Sequence, residues 1–370
     1  MQFSYSDEQA MLLESVARFG AQHFPPGERH RLIQEGRSGE EAAWATMAEL
    51  GWLLLPIPED AGGLGGGIAD LMALGEGFGR NLVPGPYVAS CVLAPALLAH
   101  GGEALHPLIA ELGAGTTIAA AALLEPDAGY DLHHIATTAT LAGDSWTLTG
   151  TKCHVEDGGD ADWFIIPART GGTGVRDPEG ISLFLVAADT PGLAVERFRA
   201  IDGHRHARLT LEKVAARAFG PQGSALALIE AAVARALCVQ LAEAVGSMEA
   251  VSDITLEYLR TREQFGRPIG SFQVLQHRMV DMRIACEEAR AMLCHIAIAS
   301  TEGETAFQRA IAAAKVRIGE CGVYVGQQAV QLHGGVGFSD ELIVSHHLKR
   351  QMMLAIAHGS IDHHRARFAA

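Results

Sequence analysis

Two changes of hydrophobic period constrain this chain more than any other feature. Early on, apolar residues recur at helical spacing. Ser6 and Gln9 have the form of a capping box, and Leu12, Leu13, Val16 and Phe19 follow on one face. From Thr116 to Val214 that spacing stops. "SWTLTG", "DWFIIPA", "ISLFLVA" and "ARLTLEKV" are short β-rich runs, several of them alternating, separated by Gly, Asp and Pro. After "FGPQGSA" the helical period returns. Met279, Met282, Cys286, Ala289, Leu293 and Ile296 step by three and four, as on the seam of a bundle helix, and the Ala-rich stretch 306–332 reads as another. The order predicts an α+β chain in three parts: helical over 1–115, antiparallel β over 116–216, and a helical bundle over 217–370.

At 370 residues the chain is too long for one small core. With 48% of residues hydrophobic and 19% charged, apolar surface is left over for subunit contacts, so a monomer is not expected. A formal charge of −15 argues against nucleic acid and leaves any anionic ligand to local groups. Cys91, Cys153, Cys238, Cys286, Cys294 and Cys321 form no CxxC pair, which suits reduced thiols in a cytoplasm. No run of about 18 uncharged apolar residues appears, so no membrane span is expected. The start, "MQFSYSDEQAMLLESVARF", lacks the basic and apolar regions of a secretory signal. "GEGFGR" matches a dinucleotide fingerprint only loosely, with no strand before it, and reads as helix packing.

Three stretches are far more specific: "LLEPDAG" at 123–129, "YLRTREQFGRPIGSFQVLQHRMVDM" at 258–282 and "QQAVQLHGGVGFSDELIVSHHLKR" at 327–350. Together they closely resemble the flavin-dependent acyl-CoA dehydrogenase family, over essentially the whole chain. The texture is most similar to the small subunits of pimeloyl-CoA-type and steroid side-chain enzymes. The resemblance implies an N-terminal all-α domain, a middle β-barrel or sandwich and a C-terminal four-helix bundle. It also implies FAD, α,β-desaturation of a CoA thioester, and electron transfer to an electron-transfer flavoprotein. A homo- or hetero-oligomer follows, with a longer homologous subunit as one option.

By the same resemblance, Arg262, Phe265, Gln273, Gln331, Gly334 and Gly335 grip the FAD bound mainly to a neighbouring subunit. Leu124 and Gly129 belong to the flavin-side loop, and Ser360 and Asp362 are further cofactor contacts. The residue types suit that role. An arginine fork fits a pyrophosphate better than an ammonium does. Phe265 and Gln273 offer an apolar face and an amide, and the paired glycines a bare backbone against which a cofactor can lie.

Several positions depart from the family pattern. Tyr130 replaces a small hydroxyl, and His154 and Glu156 stand where the family has Trp and Ser or Thr beside the flavin ring. The family's base, a glutamate before a Gly-Thr/Ser step, is here His358, ahead of Gly359 and Ser360. The alternative base position, on an earlier bundle helix, falls on Ala236. His358 is the candidate catalytic residue, since a neutral imidazole is a competent base near neutral pH. The chain also reads as a non-catalytic partner that completes the FAD site of a longer catalytic homologue, or as a base-free lyase-type relative. A metal is the weaker reading of the histidines: adjacent helical residues diverge too far to chelate together, and His358 with Asp362 lacks a third ligand.

Overall fold

The computed structural model describes residues 5–25, 27, 28, 31, 32, 35, 40–143 and 145–369. In chain order the first helices are α1 (Asp7–His23), α2 (Glu40–Glu49), α3 (Ile68–Asn81), α4 (Ala94–Leu98) and α5 (His106–Gly113). Seven strands follow: β1 (Ala119–Ala121), β2 (Thr138–Ala142), β3 (Ser145–Val155), β4 (Trp163–Arg169), β5 (Ile181–Ala187), β6 (Leu193–Arg199) and β7 (Arg205–Phe219). Then come α6 (Leu226–Thr261), the two-residue strands β8 (Glu263–Gln264) and β9 (Arg267–Pro268), α7 (Gln273–Ala299) and α8 (Glu304–His333). The chain closes with α9 (Ile343–Ile356) and α10 (Ile361–Ala369). The residues group into two compact units. One is drawn from Met1–Gly39, Ile68–Pro84 and Leu237–Ala370, the other from Glu40–Gly67 and Gly85–Ala236.

In the second unit β4, β2, β3, β7 and β5 close a ring, because β5 pairs with both β7 and β4. β1 runs parallel to β4, and β6 extends the sheet from β7. Leu148, Val155, Phe164, Ile166, Phe184, Val186, Leu209 and Leu211 fill the barrel. The four runs read from the sequence are β3, β4, β5 and β7. β1, β2 and β6 escaped that reading for physical reasons. β1 is three alanines, and β2 and β6 are mostly exposed, so pairing rather than a buried face specifies them.

Among the described residues of the barrel strands, one buried side chain is charged. Lys152 is fully buried on β3, and its Nζ lies 2.7 Å from Glu125 Oε1. Glu125 also accepts from the backbone N–H groups of Ala136 (2.7 Å) and Thr137 (3.0 Å). Burial pulls the Lys152 pKa below its ordinary value, while the ammonium and these donors outweigh burial at Glu125 and hold its carboxyl below the usual range. Removing one partner strands the other in the apolar interior. Lys152→Met is therefore expected to lower stability by about 3 kcal/mol, read as a lower denaturant midpoint. An unchanged midpoint would show that the pair contributes nothing.

In the first unit α1 begins with the expected capping box: Ser6 Oγ accepts from Gln9 N, and Gln9 Oε1 accepts from Ser6 N. "GEGFGR" lies inside α3 as packing. A Cβ at Gly79 would sit 1.8 Å from the Glu243 carbonyl oxygen of α6, so only glycine permits that approach. α6 is buried on nearly every side from Leu237 to Glu249, which its apolar sequence allows. On α7, Met282, Cys286, Ala289, Leu293 and Ile296 are buried as expected, with Met279 partly exposed before the seam. Arg350 meets Glu243 through two hydrogen bonds (2.6 and 2.8 Å), and Arg290 joins Glu76 and Glu249, tying α3, α6, α7 and α9 together.

The expectation that no segment is apolar enough to span a membrane needs one correction. Tyr87–Gly113 passes by length and hydropathy. It is nevertheless broken at Gly102 (φ 66°) and mostly buried, as a core segment of a folded unit is.

Candidate functional site

The loop after β1 is held by its backbone. Cys153 N donates to Leu124 O at 2.9 Å, and successive turns at Glu125–Ala128 and Ala128–Asp131 carry Gly129 in the left-handed region (φ 59°) with open space around it. Tyr130 is half-buried beside it. His154 is exposed on a β-bulge with φ 49°, and Asp157 is left-handed as well (φ 51°). Sequence reasoning saw only the loss of an aromatic ring at His154. The fold supplies two more: His154 meets Phe198 edge-on with centroids 6.4 Å apart, and Phe198 stacks on His206 at 5.8 Å. These come from β6 and β7, paired opposite each other at Phe198 and His206, and only the strand register reveals them. Behind them His204 Nδ1 lies 2.9 Å from Asp157 Oδ1, both buried. Burial raises the Asp157 pKa, against the lowering by His204.

A second group gathers at the end of α6. The helix stops at Thr261, and β8 and β9 form a minimal hairpin turned by Phe265 (φ 55°) and Gly266 (φ 78°). Phe265 is 91% exposed, with Phe272 edge-on at 6.1 Å. Arg262, at the break, is exposed and makes no ion pair among the described residues. Gln273 opens α7, exposed. Gln331 is exposed on the last turn of α8, and Gly334 (φ 66°) and Gly335 have nothing within 4 Å of where a Cβ would stand. Val336 and Phe338 beside them are exposed at 49% and 78%.

The third group is the turn between α9 and α10. His358 is half-buried in the left-handed region (φ 50°), and Gly359 follows at φ 124°. Ser360 Oγ accepts from His363 N (3.3 Å), so this hydroxyl caps α10. Asp362 is exposed and pairs with Arg365 at 2.6 Å, which also reaches Glu320. Ala236 is fully buried on α6. His346 and His347 diverge: one Nε2 meets the Asp340 carbonyl and the other's Nδ1 meets Ser247 Oγ, each at 2.8 Å.

Beneath the turn lies His364, fully buried, its Nε2 donating to the His358 carbonyl at 3.0 Å. Burial lowers its pKa to about 3, outweighing that hydrogen bond, and Lys315, His363 and Arg367 push the same way as burial. The unfolded chain takes up this proton near pH 6.5, the folded chain far lower. The folded pKa being the lower one, stability is complete above about pH 6.5 and falls as pH drops from there toward 3. By pH 5 the loss should be roughly 2 kcal/mol, absent from His364→Gln, as read by denaturant midpoints at pH 7 and pH 5. Equal acid sensitivity of the two proteins would contradict it.

Models of the N-terminal, middle and C-terminal domains of acyl-CoA dehydrogenases match residues 6–107, 120–214 and 221–370. The Bacillus subtilis protein described as "Probable acyl-CoA dehydrogenase YngJ" is 29% identical over 375 residues, covering 98% of this chain and 97% of its own. Among solved structures, "PigA with FAD and proline" is similar at a TM-score of 0.89 and 28% identity, covering 100% of this chain and 98% of its own. The ChsE4-ChsE5 complex from Mycobacterium tuberculosis also contains a chain similar at a TM-score of 0.89 and 28% identity, with coverages of 100% and 98%. From its three matched domains and its helix–barrel–bundle order, the chain belongs to the acyl-CoA dehydrogenase family.

Proposed function

We propose that this chain desaturates a CoA thioester with FAD, using His358 as the base, and works as a subunit of an oligomer. The observation that carries the base is the backbone at His358. A side chain in the left-handed region is unfavourable, and it persists here because the surroundings hold it, at the position where the family has its glutamate. The neutral imidazole would take the α-proton of the thioester and leave as imidazolium beside the enolate. FAD supplies the acceptor for the β-hydride, so the acyl chain loses one proton and one hydride and becomes the enoyl product. Bleaching of the flavin by a CoA thioester, lost in His358→Ala, tests this.

The groups at the end of α6 fit the pyrophosphate and adenosine half of FAD. Arg262 is an exposed cation with no ion pair among the described residues, Gln273 and Gln331 are exposed amides, and Gly334 and Gly335 leave the backbone open. In a chain of net charge −15, such a cation is a scarce resource for an anion. Exposed Phe265, Val336 and Phe338 suit a subunit contact at the same place, since apolar surface of this kind is rarely left in water. The partner is a second copy or a longer homologue; the similar chain of the ChsE4-ChsE5 complex is likewise found in an assembly. An electron-transfer flavoprotein is the expected acceptor, and six free cysteines suit a reducing compartment.

A second reading, a partner subunit without chemistry of its own, is favoured by one observation: neither Ala236 nor His358 is a carboxylate. It predicts that His358→Ala behaves as wild type in the assembled protein.

A further inference from the structure

We infer that His364 and Lys315 are positioning residues for His358, a role that rests on His358 being the base. The last carbonyls of a helix have no intrahelical donor and must be satisfied otherwise. At the end of α9 the backbone of Ala357 and Gly359 donates to the Met353 and Ile356 carbonyls, and side chains from two other helices supply further donors. Lys315, fully buried on α8, donates its Nζ to the carbonyls of Leu354 and Ala357, the latter at 2.7 Å. His364, fully buried on α10, donates Nε2 to the carbonyl of His358 itself. The peptide groups on both sides of the His358 Cα are therefore fixed, one by an ammonium and one by an imidazole.

The His364 ring is also wedged against the next residue. A Cβ on Gly359 would stand 2.5 Å from His364 Nε2 and 2.8 Å from His363 Cδ2. With the proton assigned to Nε2, His364 Nδ1 is left buried without a hydrogen-bond partner. That is a costly arrangement for a residue serving only as a helix stop, where glycine alone would do. Its return is a turn with one backbone state, so that the base does not drift from the thioester. Neither residue touches substrate in this role. Each acts through the His358 backbone.

The test uses full-length protein carrying FAD, as wild type, His358→Ala, His364→Ala and His364→Gln. Octanoyl-CoA in heavy water serves as the probe, with deuterium entry at the α-carbon followed by mass spectrometry and flavin content by absorbance. His364→Ala should slow exchange at saturating thioester by about 10- to 100-fold, with flavin content and half-saturation unchanged. His364→Gln, whose amide can still donate to the carbonyl, should recover most of the rate. A crystal structure of His364→Ala should show residue 358 out of the left-handed region. If His364→Ala exchanges like wild type while His358→Ala does not, the positioning role is overturned and the base stands. Exchange that survives His358→Ala, or is absent in wild type, removes the base and this role with it. Should His364→Ala fail to fold, Lys315→Arg takes its place: it keeps the charge but shifts both carbonyl contacts, and undiminished exchange overturns the role.

Discussion

Replacing His358 by alanine should slow flavin reduction by a CoA thioester by about 10²- to 10⁴-fold while leaving FAD bound, the range expected for loss of a general base. The separation of effects follows from placement. His358 lies on the turn between α9 and α10, and the groups assigned to the cofactor's adenosine half lie at the end of α6 and after α8. Alanine removes the proton acceptor and, like histidine, carries only one Cβ into the left-handed backbone, so folding should be little changed. His358→Glu, which restores the family's carboxylate, should retain or raise the rate. A His358→Ala protein as active as wild type would show that the proton leaves to another group, and the partner reading would gain.

The second large effect is expected at Arg262. Arg262→Ala should weaken FAD binding by about 10- to 100-fold, since charge-assisted hydrogen bonds contribute about 1.5–3 kcal/mol. Arg262 is exposed and makes no ion pair among the described residues, so its loss should cost the protein little stability. Arg262→Lys should restore only part of the affinity, because an ammonium keeps the charge and loses the fork. Equal FAD content in wild type and Arg262→Ala, at matched folding, would remove Arg262 from the cofactor site.

The sequence was most legible where one physical rule acted alone. The buried strands β4 and β5 are continuous apolar runs, and α1 carries both halves of its capping box. The strands β1, β2 and β6 lacked a periodic face, because neighbouring strands determine them. Of the candidate site, the α6 corner was marked in the sequence by the resemblance of the stretch 258–282 to the family; the helix end at Thr261 and the left-handed Phe265 and Gly266 are what the structure adds there. The supports of the sites were not legible. Lys315 sits in an Ala-rich helix, where a lysine reads as solvated, yet it is buried against carbonyls 39 and 42 residues further on. His154 appeared to have lost its aromatic setting until the β6–β7 register placed Phe198 and His206 beside it. Such contacts join residues far apart in sequence, and no local pattern announces them.

The most direct measurement is the visible spectrum of this chain purified alone, before and after anaerobic addition of a series of saturated CoA thioesters. The account predicts a yellow protein with FAD bound in the assembled oligomer, whose flavin band fades with at least one thioester in wild type and persists in His358→Ala. A chain that is colourless, or yellow and unchanged by every thioester, and that gains activity only with a longer homologue bearing its own glutamate, would contradict it.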